Sequence, residues 1–213
     1  MAKVAIKYDN IVPYGGIFYA MNEFRRTGLG KLVDGRLDLR CANYGYQYSD
    51  IMLALFCVYL CGGDHIEDIT TILNKYLSTA PNARIPSSDT IARGLKELRA
   101  LSIAYTSKTG SIYAHDPALK LNSLLLDMTQ LLGLLKRGQG IDVDFDNEFI
   151  PAEKSDALYS YKKKRGYFPG VMTSGPLIIG LENRQGNSNV KFEQVEELGR
   201  MLDNIEAHGL HVR

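Results

Sequence analysis

GIDVDFDNEFI, residues 140–150, alternates apolar and acidic side chains from the second residue of the stretch onward. Successive side chains of a β-strand point to opposite faces, so this period of two predicts a strand with one apolar and one acidic face. The apolar set is Ile141, Val143 and Phe145, and the acidic set is Asp142, Asp144 and Asp146. The stretch therefore predicts a sheet in this part of the chain.

The acidic face of this strand is costly. Carboxylates two residues apart on a strand are about 6.6 Å from one another, measured between Cα atoms, and like charges on a shared face repel. A divalent cation would relieve that repulsion, and Mg²⁺ prefers one or two carboxylates together with waters and substrate phosphates. An edge strand with a solvated acidic face fits the same residues.

A cationic run follows in YKKKRG, residues 161–166, where Lys162, Lys163, Lys164 and Arg165 are consecutive. Such a run can neutralise nucleic-acid phosphates, and the neighbouring tyrosines Tyr159, Tyr161 and Tyr167 could stack on exposed bases. A solvated basic loop is the alternative. The cationic run follows the acidic strand in the sequence, and this order favours a site for phosphodiester chemistry.

Residues 1–138 show mainly helical periodicity, whereas the alternating pattern begins after them. We therefore predict a mostly helical N-terminal domain over 1–138, for DNA binding or dimerisation, and an α/β domain over 139–213. Caps and stop signals indicate where the helices begin and end. The predicted helices run from Ile17 to Gly28, from Ile51 to Cys61 after Ser49 and Asp50, from Ile66 to Leu77, from Ser88 to Leu98, and from Asp116-Pro117 to Leu135. Residues 102–115 stay unassigned.

Two further strands are predicted over residues 168–173 and 177–181, joined by the turn Ser174-Gly-Pro176. An amphipathic helix ending at Gly209 follows, and an extended segment begins at Leu210. The predicted order after residue 139 is thus three strands, a helix and the start of a fourth strand.

This order resembles the first half of a ribonuclease-H-like fold, and the motifs resemble those of bacterial insertion-sequence DDE transposases. The resemblance rests on the segment DFDNE at 144–148, the YKKKRG stretch and the turn RQGN at 184–187, with weaker likeness at Gly62-Gly-Asp64 and Pro86-Ser-Ser-Asp-Thr90. It implies an α+β protein: a helical N-terminal domain followed by the first part of a ribonuclease-H-like domain. The family's D-x-D-x-T pattern maps its first catalytic acid onto Asp146, with Asp144 two residues earlier, whereas Glu148 stands where the family commonly has Thr.

The resemblance implies DNA transposition by two-metal phosphoryl transfer, with Mg²⁺ or Mn²⁺ held by Asp146 and Asp144. It implies double-stranded DNA of the transposable-element ends as partner, contacted by Lys162, Lys163, Lys164, Arg165, Arg184 and Asn187. The other two acids of the family's triad lie beyond the fourth strand. We therefore expect residues 1–213 to be an N-terminal fragment that is inactive in DNA cleavage, and that dimerises to cover apolar surface.

Composition limits the other classes of function. The net charge is +1, so an electrostatic site must come from local clustering rather than from overall charge. Three cysteines without metal-ligand spacing argue against a disulfide framework or a zinc site and favour a cytoplasmic protein. The longest apolar run, from Ile51 to Cys61, is too short for a membrane span, so no membrane partner is expected.

Two rival functions use the same residues. A haloacid-dehalogenase-type phosphatase would use Asp144 and Asp146, although Glu148 does not fit its signature. A non-enzymatic helix-turn-helix protein would bind DNA through residues 64–98, although residues 78–87 make a long turn for that motif. A mobility shift without Mg²⁺, beside a phosphatase assay, separates these classes.

Overall fold

The computed structural model describes residues 12–41, 45–99, 103–106, 110, 112–189 and 191–213. Its helices and strands make it an α+β protein, as predicted, with helices first and most strands after them. The helices are α1 Ile17–Arg26, α2 Leu29–Leu37, α3 Tyr48–Leu60, a π-helical segment Ile69–Leu73, α4 Asn74–Leu77, α5 Ser88–Leu98, α6 Leu119–Leu131 and α7 Gln194–Ala207.

Local hydrogen bonds explain where the helices begin. Helix α5 begins at Ser88, as predicted, and Ser87 caps it, because the Oγ of Ser87 accepts from the backbone N–H of Thr90. The prediction for α3 was wrong by three residues: the helix starts at Tyr48, and the carboxylate of Asp50 accepts from the backbone N–H of Gln47 at 2.9 Å. Ser49 binds Asp34 instead of capping the helix.

Two other predicted helices differ in extent. The helix expected over residues 66–77 is the π-helical segment followed by α4. Helix α6 ends at Leu131 rather than Leu135, because the chain turns at Gly133, whose φ of 72° suits glycine. The connection between α4 and α5 comprises residues 78–87, as expected.

The strands form one main sheet and two small ones. Residues 103–106 and 112–116 form two antiparallel strands. The sequence assigned no element to residues 102–115, and it placed the start of a helix at Asp116, which instead ends the second strand; that helix begins at Leu119. The strands are β1 Ile103–Thr106, β2 Ile112–Asp116, β3 Gly140–Ile141, β4 Asp144–Asn147, β5 Ile150–Pro151, β6 Leu158–Tyr159, β7 Arg165–Tyr167, β8 Gly170–Ser174, β9 Leu177–Arg184 and β10 His211–Val212.

The main sheet has the order β1-β2-β9-β8-β4, and β8 and β9 form the predicted hairpin. β4 runs antiparallel to β8, with Phe145 opposite Met172. After α7 the chain returns as β10, which pairs parallel with β3, the short strand that precedes β4 by two residues. β5, β7 and β6 form a separate three-stranded sheet.

Two apolar clusters hold the protein together. The helical cluster contains the buried faces of α1 to α5, and the sheet cluster contains Met172, Ile179 and the inner face of α7. Helix α6 serves both clusters, because Leu124 packs in the first and Leu126 in the second. Among the residues that the structure describes, no helix combines the length and the apolar character that crossing a membrane requires.

The predicted domain boundary after residue 138 runs through a packed unit. β2 precedes it in the chain but joins the main sheet by pairing with β9, and α6 also precedes it. The side chain of Asn122 on α6 bonds to both backbone groups of Leu181 at 2.8 Å. The sheet region thus draws on residues from both sides of that boundary.

Candidate functional site

The acidic strand has the alternation that the sequence predicts. The side chains of Asp144 and Asp146 on β4 are exposed, whereas Val143 and Phe145 pack against the sheet cluster. Pairing with β8 fixes the backbone of both aspartates, since Asp144 lies opposite Thr173 and Asp146 opposite Val171. The apolar face therefore anchors a strand that presents two neighbouring carboxylates to solvent.

Asp142 differs from the other two aspartates. It lies between β3 and β4, and its Oδ2 is 3.2 Å from Nη2 of Arg213. Both side chains are exposed, so this ion pair contributes little to stability. It nevertheless gives Asp142 a cationic neighbour, which leaves Asp144 and Asp146 as the carboxylates better suited to an added cation.

A buried ion pair lies beside the end of the acidic strand. Nε of Arg184 is 2.6 Å from Oε1 of Glu182, and the two side chains are 2% and 0% exposed. The same carboxylate oxygen accepts from Nδ2 of Asn147, the last residue of β4, at 3.5 Å. Gly170 makes room for this contact, since a Cβ there would lie 2.7 Å from Oε1 of Glu182.

The burial of Arg184 corrects its predicted role in DNA binding. Besides Glu182, its guanidinium binds the backbone carbonyl of Phe192 just before α7. A side chain enclosed in this way does not reach the phosphates of a bound duplex. Arg184 joins β9 to the start of α7, whereas Asn187, from the same predicted motif, is exposed.

The four consecutive cations lie on the hairpin that connects β6 to β7. The turn is held by Ser160, whose backbone N–H donates to the carbonyl of Lys164 at 2.8 Å and whose carbonyl accepts from Lys163 at 3.0 Å. All four cationic side chains are exposed, and none forms an ion pair within the described ranges, 112–189 included. The cations are Lys162, Lys163, Lys164 and Arg165.

The RQGN turn and this basic hairpin, which the sequence singled out separately, pack against one another. Gly186 of the turn is buried, and a Cβ there would lie 2.5 Å from the carbonyl oxygens of both Gly166 and Leu158. A bridge between Tyr167 and Gln185 continues the contact. β7 also pairs with β5, which follows the acidic strand after two intervening residues. The structure thus brings three predicted segments into one region.

A tyrosine–aspartate pair stabilises the base of the hairpin. The hydroxyl of Tyr167 donates to Oδ1 of Asp156 at 2.7 Å, and Nη1 of Arg99 lies 3.0 Å from Oδ2. Burial and the carboxylate neighbour raise the pKa of Tyr167 to about 12. The hydrogen bond from Tyr167, helped by Arg99, lowers the pKa of Asp156 below its ordinary value.

Sequence reasoning missed the buried charges and an aromatic cluster. Gly180, Glu182 and Arg184 are spaced two residues apart on β9, so their side chains lie on the same face of the strand, and that face is buried. The spacing could have indicated this from the sequence. No local pattern indicated that Tyr161, Phe149 and Phe168 would meet beside the cations, because they come from different segments.

Other candidate chemistry is not supported by the geometry. Burial raises the pKa of the Cys57 thiol to about 12, so the group stays neutral in the helical cluster. No three or more His, Cys, Asp or Glu side chains lie together as a metal-binding group in the described part of the chain. Mg²⁺ prefers only one or two carboxylates, and Asp144 and Asp146 are the two exposed carboxylates on β4.

Comparisons with family models, curated proteins and solved structures found no match for this chain.

Proposed function

We propose that this chain works on DNA as part of a transposase of the bacterial insertion-sequence DDE type, whose chemistry is metal-assisted phosphoryl transfer. The observation that carries the proposal is the pair of exposed carboxylates, Asp144 and Asp146, on a strand whose opposite face is anchored in the core. Pairing with β8 fixes the backbone of both aspartates, and neither carboxylate forms an ion pair with a residue in the described part of the chain.

The topology around this strand supports a ribonuclease-H-like arrangement. β4 has the antiparallel strand β8 on one side, and β9 continues the meander. A helix then leads to β10, which runs parallel to β3 at the start of the acidic segment. Three strands, a helix and a parallel fourth strand are the order that the resemblance leads us to expect.

The basic hairpin supplies the second requirement, a surface for the DNA backbone. Four exposed cations without carboxylate partners in the described residues keep their charge available for phosphates. β5 follows β4 after two intervening residues and pairs with β7, so one short sheet links the hairpin to the acidic strand. Lys162 to Arg165 would hold the duplex, and Asp144 and Asp146 would face its backbone.

Asp146 and Asp144 are the residues that would hold Mg²⁺ or Mn²⁺. Such a cation, when bound, polarises a phosphoryl oxygen and activates a water or a DNA 3′-hydroxyl. The contribution of this chain is to fix the carboxylates on a rigid strand. Asn147, the last residue of that strand, contacts Glu182 of the buried Glu182–Arg184 pair, and this contact holds the end of the strand in place.

Mn²⁺ binding tests whether the two carboxylates hold a metal, and electron paramagnetic resonance or calorimetry measures that binding. Asp146→Asn should weaken Mn²⁺ binding more than Asp144→Asn, whereas Asp203→Asn, an exposed aspartate on α7, should leave it unchanged. An equal signal from the parent protein and the Asp144→Asn/Asp146→Asn double variant would remove these residues from the metal site.

The test of the basic hairpin is the salt dependence of DNA binding. Replacing Lys162, Lys163, Lys164 and Arg165 by Ala should reduce the slope of log K against log salt concentration by about 3 to 4, at ~0.9 for each phosphate that is no longer neutralised. Lys31→Ala on α2 is the control and should keep the slope. A phosphatase assay run in parallel separates the proposal from phosphomonoester hydrolysis, which the proposed function predicts to be absent.

A further inference from the structure

An exposed aromatic ring lies among the cations of the basic hairpin. Tyr161 is 75% exposed, although one face of its ring stacks on Phe168 with ring centroids 5.4 Å apart and planes 12° apart. Phe168 is itself 2% exposed and contacts Phe149, with ring centroids 5.0 Å apart. Tyr161 is therefore the outermost ring of a stack that is anchored in the protein.

The position of this ring is fixed before any ligand arrives. Its neighbour Ser160 is buried, and the Oγ of Ser160 accepts from the backbone N–H of Lys162 at 3.1 Å. Nζ of Lys162 lies 5.6 Å from the ring centroid of Phe168, on the same aromatic cluster. A tyrosine loses little conformational entropy on binding, and a prearranged ring reduces that cost further.

We infer that Tyr161 is a stacking platform for an unpaired DNA base, with the surrounding cations holding the phosphates on either side of that base. The inference rests on the proposed function and names its substrate class: DNA with unpaired nucleotides, as at an opened or cut end. Every base has a π-face, so stacking needs no particular sequence, and cations beside an aromatic ring are the combination that binds single strands. Tyr161 directly precedes the four exposed cations on the same hairpin, so a base stacked on its ring would bring the neighbouring phosphates close to them.

The experiment compares three DNA probes: a blunt duplex, the same duplex with a short unpaired extension, and that extension built from abasic sites. The abasic extension keeps the phosphates and removes the bases. The protein should bind the base-bearing extension about 5-fold to 140-fold more tightly than the abasic one, equivalent to about 1–3 kcal/mol for one stacked base.

Three variants assign that preference to the ring. Tyr161→Leu still covers Phe168 but has no π-face, so it should bind the base-bearing and the abasic extension equally. Tyr161→Phe should keep the preference. Tyr19→Leu changes a tyrosine of similar exposure, 71%, on α1 and should also keep it.

Equal binding of base-bearing and abasic extensions by the unaltered protein, with salt-dependent duplex binding intact, would overturn the platform and leave the proposed function standing. Retention of the preference by Tyr161→Leu would likewise overturn it. Failure to bind any of the three probes would overturn both proposals. The comparison of probes on the unaltered protein does not depend on how any variant folds.

Discussion

The helical region and the sheet region bury different kinds of side chain. In the described ranges 12–41 and 45–99 no charged side chain is buried, and the helical cluster consists of apolar residues with the ring of Tyr48. From Asn122 onward the protein buries Glu182, Arg184 and Glu197 along with polar groups. The first region is stabilised by apolar burial, whereas the second also holds charges away from water.

Burying a charge costs free energy, so stability alone does not explain the buried ion pair of the sheet region. Replacing a buried ion pair by apolar side chains of similar volume is often neutral or favourable, whereas removing one partner is strongly unfavourable. The Glu182–Arg184 pair touches Asn147 at the end of the acidic strand and Phe192 before α7. We therefore interpret the pair as positioning β4, β9 and α7 relative to one another.

The largest effect is expected for Arg184→Met. This change leaves the fully buried carboxylate of Glu182 without its main cationic partner and should lower the free energy of unfolding by about 3–5 kcal/mol. Chemical denaturation measures the loss. The double variant Glu182→Leu/Arg184→Met should recover a large part of it, since no buried charge then remains at either position.

Leu73→Ala, in the helical cluster, is the matched comparison for that rescue. Leu73 is 2% exposed, and its truncation should cost about 2–5 kcal/mol through the cavity it leaves. No second truncation nearby should restore that loss. If the Glu182/Arg184 double variant is no more stable than Arg184→Met alone, the contrast between the two regions is wrong.

A smaller effect is expected where the RQGN turn meets the basic hairpin. Gly186→Ala places a methyl group against the carbonyl oxygens of Gly166 and Leu158, which belong to backbone and cannot rotate away. The variant should lose about 1–3 kcal/mol of stability as the turn is displaced. Thermal unfolding followed by circular dichroism measures it.

Gly199→Ala is the control for that substitution. Gly199 lies inside α7 and has no atoms within 4 Å of a Cβ built there, so alanine should stabilise the helix by about 0.5–1 kcal/mol. Equal stability of the Gly186→Ala variant and the parent protein would mean that the turn and hairpin do not pack as described.

The smallest effect concerns a surface link between the two regions. Asp156, in the sheet region, binds Tyr167 and also pairs with Arg99, which follows α5. Both ends of the ion pair are substantially exposed, so Asp156→Asn should cost less than about 1 kcal/mol near neutral pH.

The pH dependence of that cost has a definite sign. Because the folded protein lowers the pKa of Asp156, mainly through the Tyr167 hydrogen bond, its contribution is present above the ordinary value of 3.8. The contribution disappears as the pH falls through the lower folded pKa. Denaturation curves of parent and Asp156→Asn should therefore converge in acid; a difference that widened on acidification would contradict the assigned pKa direction.

Sequence patterns were sufficient for features that depend on neighbours along the chain. The alternation over 141–146 predicted that the aspartates lie on the face opposite Val143 and Phe145, and the β8–β9 hairpin was also predicted correctly. The exact start of α3 was not, because Gln47 and Asp50 form a cap that competes with the one expected at Ser49. Strands β1 and β2 were not predicted, because the alternation of apolar and polar residues is weak in that part of the sequence.

The role of Arg184 shows the limit of such patterns. Charged side chains are seldom fully buried, so an arginine in a polar turn is reasonably expected at the surface. Its burial depends on Glu182 and on the carbonyl of Phe192, eight residues further along the chain.

By itself, therefore, the sequence determined the α+β class, the two faces of the acidic strand and the exposed run of cations, because each follows from spacing of a few residues. Only the tertiary structure decided that Arg184 is buried, that Gly186 packs on the basic hairpin and that Tyr161 stacks on Phe168. Those contacts join segments that are separate in the chain, and close packing rather than periodicity decides which of them meet.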